Sequence, residues 1–578
     1  MRTGHRSRAA LWLAVAAPLC WVPGGFTRFG PATLLVLALA GALAAAAPAA
    51  GRLPRALVLA GAAWLVVLVV ASLVGETPLA SLVGRWPRYE GLPVLAVYAG
   101  AAWLGARVVG RDEPGTRRLS WAVGATAVAL ATLSLLDLAG VSPVGPGGLA
   151  RSGSVLGNAT DQAAVAMMAA LLVAGRAIAH RHPVDVVVLV AALTTVAVSG
   201  SRTALVLTVL GLAVVVAVAR RHPGRGMVLP SAAALVVLAG AALAVPTTRD
   251  RLLGLGTGRG RVEQWRLTLD LVRDHPWLGL GPSRYVDAFP AYENASFVRF
   301  TGPYRLADSP HSIVLQVVVA GGLVLLVASS VGLLLLAVRC RAAVLERPEV
   351  APALIAVGAY ALLLTVNVTS AAPLCLAALL LGSVMSVAPS GRGPVALRAV
   401  AGVAWAMAAV VLAAACVGDV RLQDGLDAAD SHQVSAATSA IDDASVFRPW
   451  DSDVDLLGAA GLAQEATRGG RDGALAGARS AELARAGLAR TPESYDGLVS
   501  LGVALLVDGR LDEAYDVLDR AVAVAPYRPD GYVQRAIASF GLDDVEAAVD
   551  DLRLAQRIVP GSATVRRLLS RVEAAADG

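Results

Sequence analysis

Long apolar segments without charged residues occupy most of positions 1–419 of this 578-residue chain. A segment of about 20 such residues can cross the roughly 30 Å hydrocarbon core of a bilayer as a helix. Because backbone polar groups find no water in lipid, spanning segments of this kind must be helical. We therefore predict an all-α, polytopic membrane domain over residues 1–419. About thirteen spans are expected, centred near residues 15, 40, 64, 100, 129, 169, 191, 211, 236, 325, 360, 380 and 407.

The composition agrees with a membrane protein and excludes several other classes. The chain is 56% hydrophobic and 16% charged, with a mean hydropathy of +0.64, which is typical of neither soluble globular nor disordered proteins. The sequence pI is about 9.4, but there is no basic stripe with interleaved aromatic residues, so we expect no nucleic acid partner. The four cysteines lack the spacing of disulfide frameworks or metal sites, and we predict no metal centre.

Arginine residues indicate the orientation of the spans. All 49 Lys-plus-Arg positions are arginine, and a cytoplasmic N-terminus places most loop arginines on the cytoplasmic side. The alternate short loops hold only Arg28, Arg85, Arg88, Arg151 and Arg202. We predict a multi-pass protein of the cell (plasma) membrane with an extracytoplasmic C-terminal domain. The predicted cytoplasmic arginines are Arg52, Arg55, Arg107, Arg111, Arg117, Arg118, Arg176, Arg181, Arg220, Arg221, Arg225, Arg339, Arg341, Arg347, Arg392 and Arg398.

A long outer loop is predicted at about residues 246–310. Loops of this length are uncommon in compact proteins and are usually functional or disordered. Apolar residues at positions 262, 265, 269 and 272 follow the spacing of one helical stripe. We expect an amphipathic helix here that lies along the membrane surface and ends at Pro276.

The C-terminal part of the chain repeats with a period of 34 residues. Pro492, Pro526 and Pro560 have this spacing, and small residues such as Gly502 and Ala514 let paired helices approach closely. We predict a tetratricopeptide-repeat-like α-solenoid over residues 459–578, joined to the membrane domain by a polar connector at residues 420–458. The solenoid offers a concave surface for a protein partner. Alternatively, it is a folded appendage that supports the long loop.

Two histidines, His275 and His311, are expected at the outer face near the membrane. His311 lies where the long loop joins the tenth predicted span. An imidazole at this boundary can act as a general base toward a sugar hydroxyl, or it can cap the helix or hydrogen-bond the loop. His275 precedes Pro276 and two glycines, so we interpret it as a residue that shapes the turn.

Three arginines are candidates for binding an anionic group at the outer face. Arg202 lies in a short turn between two apolar spans, and Arg261 and Arg266 lie just before and on the expected amphipathic helix. Guanidinium groups can bind a diphosphate bidentately in a low-dielectric setting. They can equally extend toward headgroups, and membrane lipids are therefore expected partners.

Charged and aromatic residues also follow the third span, in the segment Gly84–Gly91. Arg85, Arg88 and Glu90 can bind sugars there, or they can anchor an aromatic belt at the membrane interface. Both interpretations of this segment stay open.

Several short motifs follow one another along the membrane domain, namely Arg88-Tyr89-Glu90-Gly91-Leu92, Gly157-Asn158-Ala159, Gly200-Ser201-Arg202, Gly260–Arg266, His275–Gly281, Pro310-His311-Ser312 and Leu315-Gln316. In their order and spacing, these motifs resemble the O-antigen ligase and O-antigen polymerase family of polytopic membrane glycosyltransferases. The resemblance covers about residues 30–390, and a tetratricopeptide tail is a frequent companion in that family.

The resemblance implies a GT-C-like membrane fold whose outer loop covers a cavity open to the outer leaflet. The implied donor is a glycan on a polyprenyl diphosphate. Transfer would invert the anomeric centre, use no metal or other cofactor, and end on a hydroxyl of a glycan, lipid or protein acceptor. By motif match, Arg202 and Arg261 bind the diphosphate, Arg266 supports them, and His311 deprotonates the acceptor.

The remaining motif positions, Arg88, Glu90, Asn158 and His275, are implied to bind substrate. One position departs from the family pattern. Members commonly have Asn after the motif histidine, whereas this chain has Ser312, which can donate a hydrogen bond but does not offer both groups of an amide.

Several alternative functions stay open. Within the family, the motifs do not separate a ligase from a glycan-repeat polymerase or a protein O-oligosaccharyltransferase. A polytopic transporter would need ionisable residues near the middle of the spans and interrupted helices in two related halves, and the sequence shows neither. A non-enzymatic envelope-assembly scaffold would depend on the repeats rather than on His311.

Overall fold

The computed structural model describes residues 3–142, 144, 153–180, 182–219, 240, 258–388 and 395–576. Regular structure in these ranges is helical, apart from one isolated bridge between Arg52 and Val387, and the predicted all-α class is confirmed. The span predicted near residue 236 and the first part of the predicted outer loop lie outside the described residues. So do Arg151, Arg181, Arg220, Arg221, Arg225 and Arg392.

The first part of the chain forms a bundle of apolar helices and a helical outer loop. A helix is present at each predicted span centre except the one outside the described residues. The helices are α1 Thr3–Ala16, α2 Gly30–Ala45, α3 Arg55–Val74, α4 Pro78–Val83, α5 Leu92–Val108, α6 Glu113–Leu138, α7 Ala159–His180, α8 Pro183–Val198, α9 Arg202–Ala219, α10 Gly258–Asp274, α11 Tyr285–Ala288, α12 Ala295–Thr301, α13 Ile313–Glu346, α14 Ala351–Leu364, α15 Ala371–Met385 and α16 Val395–Asp430.

Six of these helices are long and apolar enough to cross a membrane within the described ranges, namely α3, α6, α7, α9, α13 and α16. The other apolar helices of the bundle are shorter. A multi-pass membrane domain agrees with these lengths, and the number of spans stays a prediction.

Helix pairs form the C-terminal solenoid that the repeats predict. Tyr495 and Pro529 begin the first helices of successive pairs, 34 residues apart, as the proline spacing requires. The helices after the bundle are α17 Val434–Phe447, α18 Ser452–Ala466, α19 Gly470–Arg490, α20 Tyr495–Val507, α21 Leu511–Val524, α22 Pro529–Gly541, α23 Val545–Ile558 and α24 Ala563–Ala576.

The segment predicted as a connector, residues 420–458, is helical. α16 continues without a break across the predicted domain boundary between residues 419 and 420. Its last turns pack against α17, and Leu422 and Ile441 belong to the same hydrophobic core as Leu462 and Leu498 of the repeats. In the structure, this segment is the first helical pair of the solenoid.

The two ends of the bundle differ in character. At one end, here called the arginine end, Arg107 Nε donates to Ala44 O at 2.6 Å and Arg347 donates to Val384 O at 2.6 Å. Arg111 pairs with Glu346 at the same end. The opposite end carries the segment Gly84–Gly91 and the start of α13, and we call it the loop end. The arginine end gathers residues predicted to be cytoplasmic, and the orientation in the bilayer stays a prediction.

Helix α13 is interrupted at Gly321 and Gly322, where φ is −150° and +62°. The break lies eight residues, or about 12 Å, from the start of the helix. The segment Pro276–Gly281 of the outer loop fills it. Leu280 N donates to Val319 O at 2.8 Å, and Pro276 O accepts from Leu323 N at 2.8 Å.

No interrupted helix was predicted from the sequence, so this break is a correction. Glycine is frequent in membrane helices, so a Gly-Gly pair in an apolar segment does not by itself predict a break. The conformation is fixed by contact with a loop forty residues earlier, which no local pattern shows. Among the described helices, α13 is the one with non-helical backbone inside it, so two related interrupted halves are not seen.

The predicted amphipathic helix is present as α10. Val262 and Leu269 of the predicted apolar stripe are 62% and 46% exposed, so they stay available for the membrane contact predicted from the sequence. Trp265 and Val272 of the same stripe are partly buried, and Val272 packs against the hydrophobic core of the outer loop. The fully buried side of the helix consists of Gln264, Leu267, Thr268 and Leu271.

Two buried carboxylates connect the solenoid to the bundle. Asp419 accepts hydrogen bonds from Thr27 Oγ1 at 2.7 Å and from the backbone of Thr27 and Arg28. Asp453 pairs with Arg85 at 2.9 Å, and Arg85 pairs at 2.6 Å with Asp287 of the outer loop. Arg85 therefore joins three parts of the molecule and is a buried structural residue.

Replacing Gly322 by Ala is expected to destabilise the protein by at least roughly 1–3 kcal/mol. A Cβ at this position would lie 2.1 Å from Trp277 O, and the positive φ disfavours any L side chain. Gly332→Ala, in the same helix with no atom within 4 Å of the new Cβ, is the matched control and is expected to preserve stability. Thermal unfolding in detergent measures both, and equal melting temperatures would contradict the prediction.

Replacing Arg85 by Met is expected to cost about 3–5 kcal/mol of stability, because Asp453 would stay buried without a cation and Asp287 would keep only its pair with Arg284. Arg273→Met removes an exposed pair with Asp270 and is expected to change stability little. Denaturant unfolding of both variants tests the difference. A small effect at Arg85 would show that the three-part junction is not important for stability.

Candidate functional site

Glu90 is the centre of a buried hydrogen-bond cluster at the loop end. Its carboxylate accepts from Thr369 Oγ1 at 2.6 Å and from Gln316 Nε2 at 2.8 Å, and the residue is 5% exposed. Arg88 donates to Thr369 Oγ1 at 3.1 Å, lies 3.4 Å from Glu90, and pairs with Asp308 at 3.5 Å. The cluster joins the segment after α4, the start of α13 and the turn between α14 and α15.

His311 lies next to this cluster and is positioned by α10. Gln264 Nε2 donates to Ser309 O, and Trp265 Nε1 donates to Pro310 O, both at 2.8 Å. His311 has a φ of +51°, in the left-handed region that residues other than glycine rarely adopt. The contacts from α10 therefore stabilise a backbone conformation of His311 that is unfavourable by itself, a feature often found at functional sites.

The environment of His311 keeps its imidazole neutral. Burial lowers the pKa of His311 to about 4; Asp308 opposes this shift, and Arg261, Arg305 and Arg88 add to it. Its Nδ1 is buried and has no hydrogen-bond partner among the described residues. At neutral pH such a histidine is unprotonated and can accept a proton.

The three predicted phosphate-binding arginines have different positions. Arg261, in the first turn of α10, donates to Val366 O at 2.9 Å and is close enough to His311 to affect its pKa. Arg202 is half-buried at the first residue of α9, which packs against α7 and α14. Arg202 therefore lies at the loop end, where α7 begins and α14 ends. Arg266 is exposed on α10.

The structure thus brings Arg261, His311, Arg88 and Glu90 together and places Arg202 at the same end of the bundle. The convergence of Arg202 with His311 stays a prediction. Within the described ranges, no group of three or more His, Cys, Asp or Glu side chains is arranged to hold a metal ion.

Asn158 and His275 are outside this group of residues. Asn158 is exposed, and its Oδ1 accepts from Thr160 N at 2.8 Å, so it caps the start of α7. His275 is exposed just after α10, and its backbone N–H donates to Val272 O. Both residues have a clear structural contribution, which for His275 agrees with the interpretation as a turn residue.

A cavity of about 200 Å³ lies beside the Arg88–Glu90 cluster. Asp161, in the first turn of α7, lines it and was not among the residues predicted from the sequence. The signal was an acidic residue at the start of an otherwise apolar span, where an ionisable group is expensive. Thr369, also not identified, lies in a short polar turn between two apolar helices. Other polar lining residues are Arg88, Glu90, Tyr98 and Asp308.

Residues 187–329 match a family model described as O-antigen ligase. Over this range the chain resembles the O-antigen ligases. The match contains Arg202, the described part of the outer loop, His311 and the break in α13, and it confirms the resemblance predicted from the motifs. Arg88, Glu90 and Asn158 lie before the matched O-antigen ligase segment.

None of the curated proteins matches the chain. Similar solved structures include MamA from Desulfovibrio magneticus RS-1, with 16% identity, a TM-score of 0.24 and coverage of 28% of this chain and 85% of that chain. The APC/C hetero-tetramer Cut9-Hcn1 has 11% identity, a TM-score of 0.24 and coverage of 82% and 76%. Yeast Tom70 has 9% identity, a TM-score of 0.20 and coverage of 84% and 92%. At these TM-scores the likeness carries no functional information.

His311 is expected to titrate near pH 4 in the folded protein, well below the value of about 6.5 for an exposed histidine. As the pH falls from about 6.5 toward 4, the unfolded chain takes up a proton on this residue that the folded protein does not, so stability decreases. His311→Gln is expected to remove this part of the pH dependence. NMR titration of labelled histidine measures the pKa, and a folded-state value near 6.5 would contradict the prediction.

Proposed function

We propose that the protein is a membrane glycosyltransferase that moves a glycan from a polyprenyl diphosphate donor to an acceptor hydroxyl on the extracytoplasmic side of the plasma membrane. The observation that carries this proposal is the position of the neutral His311 beside Arg261 and the Arg88–Glu90 cluster, within or adjoining the O-antigen ligase-like segment.

In the proposed reaction, His311 accepts the proton of the acceptor hydroxyl, and the oxygen attacks the anomeric carbon of the donor. The bond from this carbon to the diphosphate oxygen breaks on the opposite face, so the configuration inverts. The diphosphate leaves with the bonding electrons, and Arg202 and Arg261 stabilise its negative charge. Arg266 adds a supporting cation from the exposed side of α10.

The proposal needs no metal ion. A diphosphate is already a good leaving group, and fixed guanidinium charges in a partly buried site can supply the required stabilisation and orientation. The donation from Arg261 to Val366 O fixes the direction of that side chain before any substrate binds.

The other predicted substrate-binding residues have narrower functions in this proposal. Glu90 already accepts from Thr369 and Gln316, so it positions Arg88 and the start of α13 more than it binds sugar. Ser312, which replaces the usual family asparagine, begins α13 through its backbone carbonyl, and its side chain makes no capping hydrogen bond.

The same chemistry serves a ligase, a glycan-repeat polymerase or a protein O-oligosaccharyltransferase. Product length separates the first two, because a polymerase yields a ladder of repeats on the lipid carrier whereas a ligase moves one finished chain. In the solenoid, Tyr527 and Ile558 pack against the hydrophobic core of the outer loop, which includes Leu271, Phe289 and Phe297. This contact favours a supporting function. A protein partner on its concave surface stays a prediction.

The proposal is tested by reconstituting the full chain with a lipid-linked glycan and measuring release of lipid diphosphate. His311→Ala is expected to slow transfer by roughly 10²–10⁴-fold. Arg202→Ala and Arg261→Ala are each expected to slow it by roughly 10²–10³-fold.

Matched controls are Arg273→Ala, an exposed arginine on the same helix as Arg261, and His182→Ala, at the arginine end of the bundle. Both are expected to keep wild-type rates. If the His311 and Arg261 variants release lipid diphosphate as fast as these controls, the proposed reaction is wrong.

A further inference from the structure

The cavity beside the Arg88–Glu90 cluster combines groups that recognise sugar hydroxyls. Its wall includes the carboxylates of Asp161 and Glu90, the guanidinium of Arg88 and the hydroxyl groups of Thr33 and Thr369. Carboxylates accept hydrogen bonds from hydroxyl groups, guanidinium groups donate to them, and a threonine hydroxyl can do either. A ligand rich in hydroxyl groups can therefore form hydrogen bonds with the donors and acceptors of this wall.

The size of the cavity agrees with one six-membered ring. Its volume is about 200 Å³, whereas an engineered apolar cavity of about 150 Å³ holds one benzene molecule. Phe29 also lines the cavity and supplies an apolar surface against which the carbon face of a ring can pack.

Asp161 is the second carboxylate of the wall, and the hydroxyl of Ser370 is its neighbour there, which leaves acceptor capacity for such a ligand. Glu90 already receives hydrogen bonds from Thr369 and Gln316. Asp161 comes from a different element, the first turn of α7, and lines the same cavity as Arg88 and Glu90. Asp308, which pairs with Arg88 and acts on His311, connects the cavity to the proposed general base.

We propose that Asp161 anchors a pyranose-type sugar ring in this cavity, next to the reacting centre. The ring belongs either to the donor glycan or to the acceptor, since both carry the same hydroxyl chemistry. This inference rests on the proposed function for its biological meaning, but the binding of a sugar to the cavity can be measured without any transfer reaction.

The first experiment measures binding of purified lipid-linked glycan to the full chain in detergent, by calorimetry or saturation-transfer NMR. If the ring is part of the donor, Asp161→Asn is expected to weaken binding by roughly ten- to a hundredfold, as expected for loss of hydrogen bonds to a charged group. Ala371→Leu, which places a larger side chain in the cavity wall, is expected to have a similar effect without removing a polar group. Asp137→Asn, an acid of the same type at the end of α6 outside the cavity wall, is the matched control.

The second experiment assigns the ring to the acceptor if donor binding is unchanged. In the reconstituted transfer assay, Asp161→Asn and Ala371→Leu are then expected to raise KM for the acceptor with a smaller effect on kcat. Melting temperatures of all variants exclude unfolding as the cause of a lost signal.

Unchanged donor binding together with an unchanged acceptor KM in both cavity variants would overturn the sugar-binding proposal. That result is distinct from failure of the proposed reaction, in which His311→Ala has no effect on transfer. Glycan binding that depends on Asp161 would stand even then.

Discussion

The structure depends on one constraint, that every backbone polar group in the hydrocarbon region must be hydrogen-bonded within the protein. A helix meets this requirement by itself, and a break in a helix does not. At Gly321 and Gly322 the missing hydrogen bonds are supplied by the backbone of Pro276–Gly281. The outer loop is therefore fixed to α13, and α10 and the segment before α13 are positioned as a consequence.

Buried charged residues fix the other parts of the molecule relative to one another. Arg85, in the segment after α4, pairs with Asp287 of the outer loop and with Asp453 of the solenoid. Asp419 of α16 accepts a hydrogen bond from Thr27 in the turn before α2. Such pairs contribute little net stability over apolar packing, but a buried charge without its partner is costly. They therefore favour one relative arrangement of loop, bundle and solenoid, and this arrangement places His311 beside Arg261 and Arg88.

The sequence predicted which residues lie at the candidate site better than it predicted the function of each one. His311, Arg261, Arg88 and Glu90 were selected because polar residues at the ends of apolar spans are expensive, and the structure brings them together. His275 was selected by the same criterion and Asn158 only by motif match. In the structure Asn158 caps a helix and His275 follows the end of one, because position along a chain does not show which way a side chain points. Asp161 was not among the predicted residues, because its position at the start of an apolar helix does not show that it lines a cavity with Arg88 and Glu90.

The amino-acid sequence by itself determined the helical class, the positions of the apolar helices and the 34-residue period of the solenoid. These features follow from local hydrophobicity and repeat spacing, which depend on neighbours along the chain. Only the tertiary structure decided the break in α13, the continuity of α16 into the solenoid, the side of α10 that packs against the protein and the cavity lined by Asp161. Each of these features depends on contacts between residues far apart in sequence. Such contacts form, and stabilise the structure, only when the helices pack together.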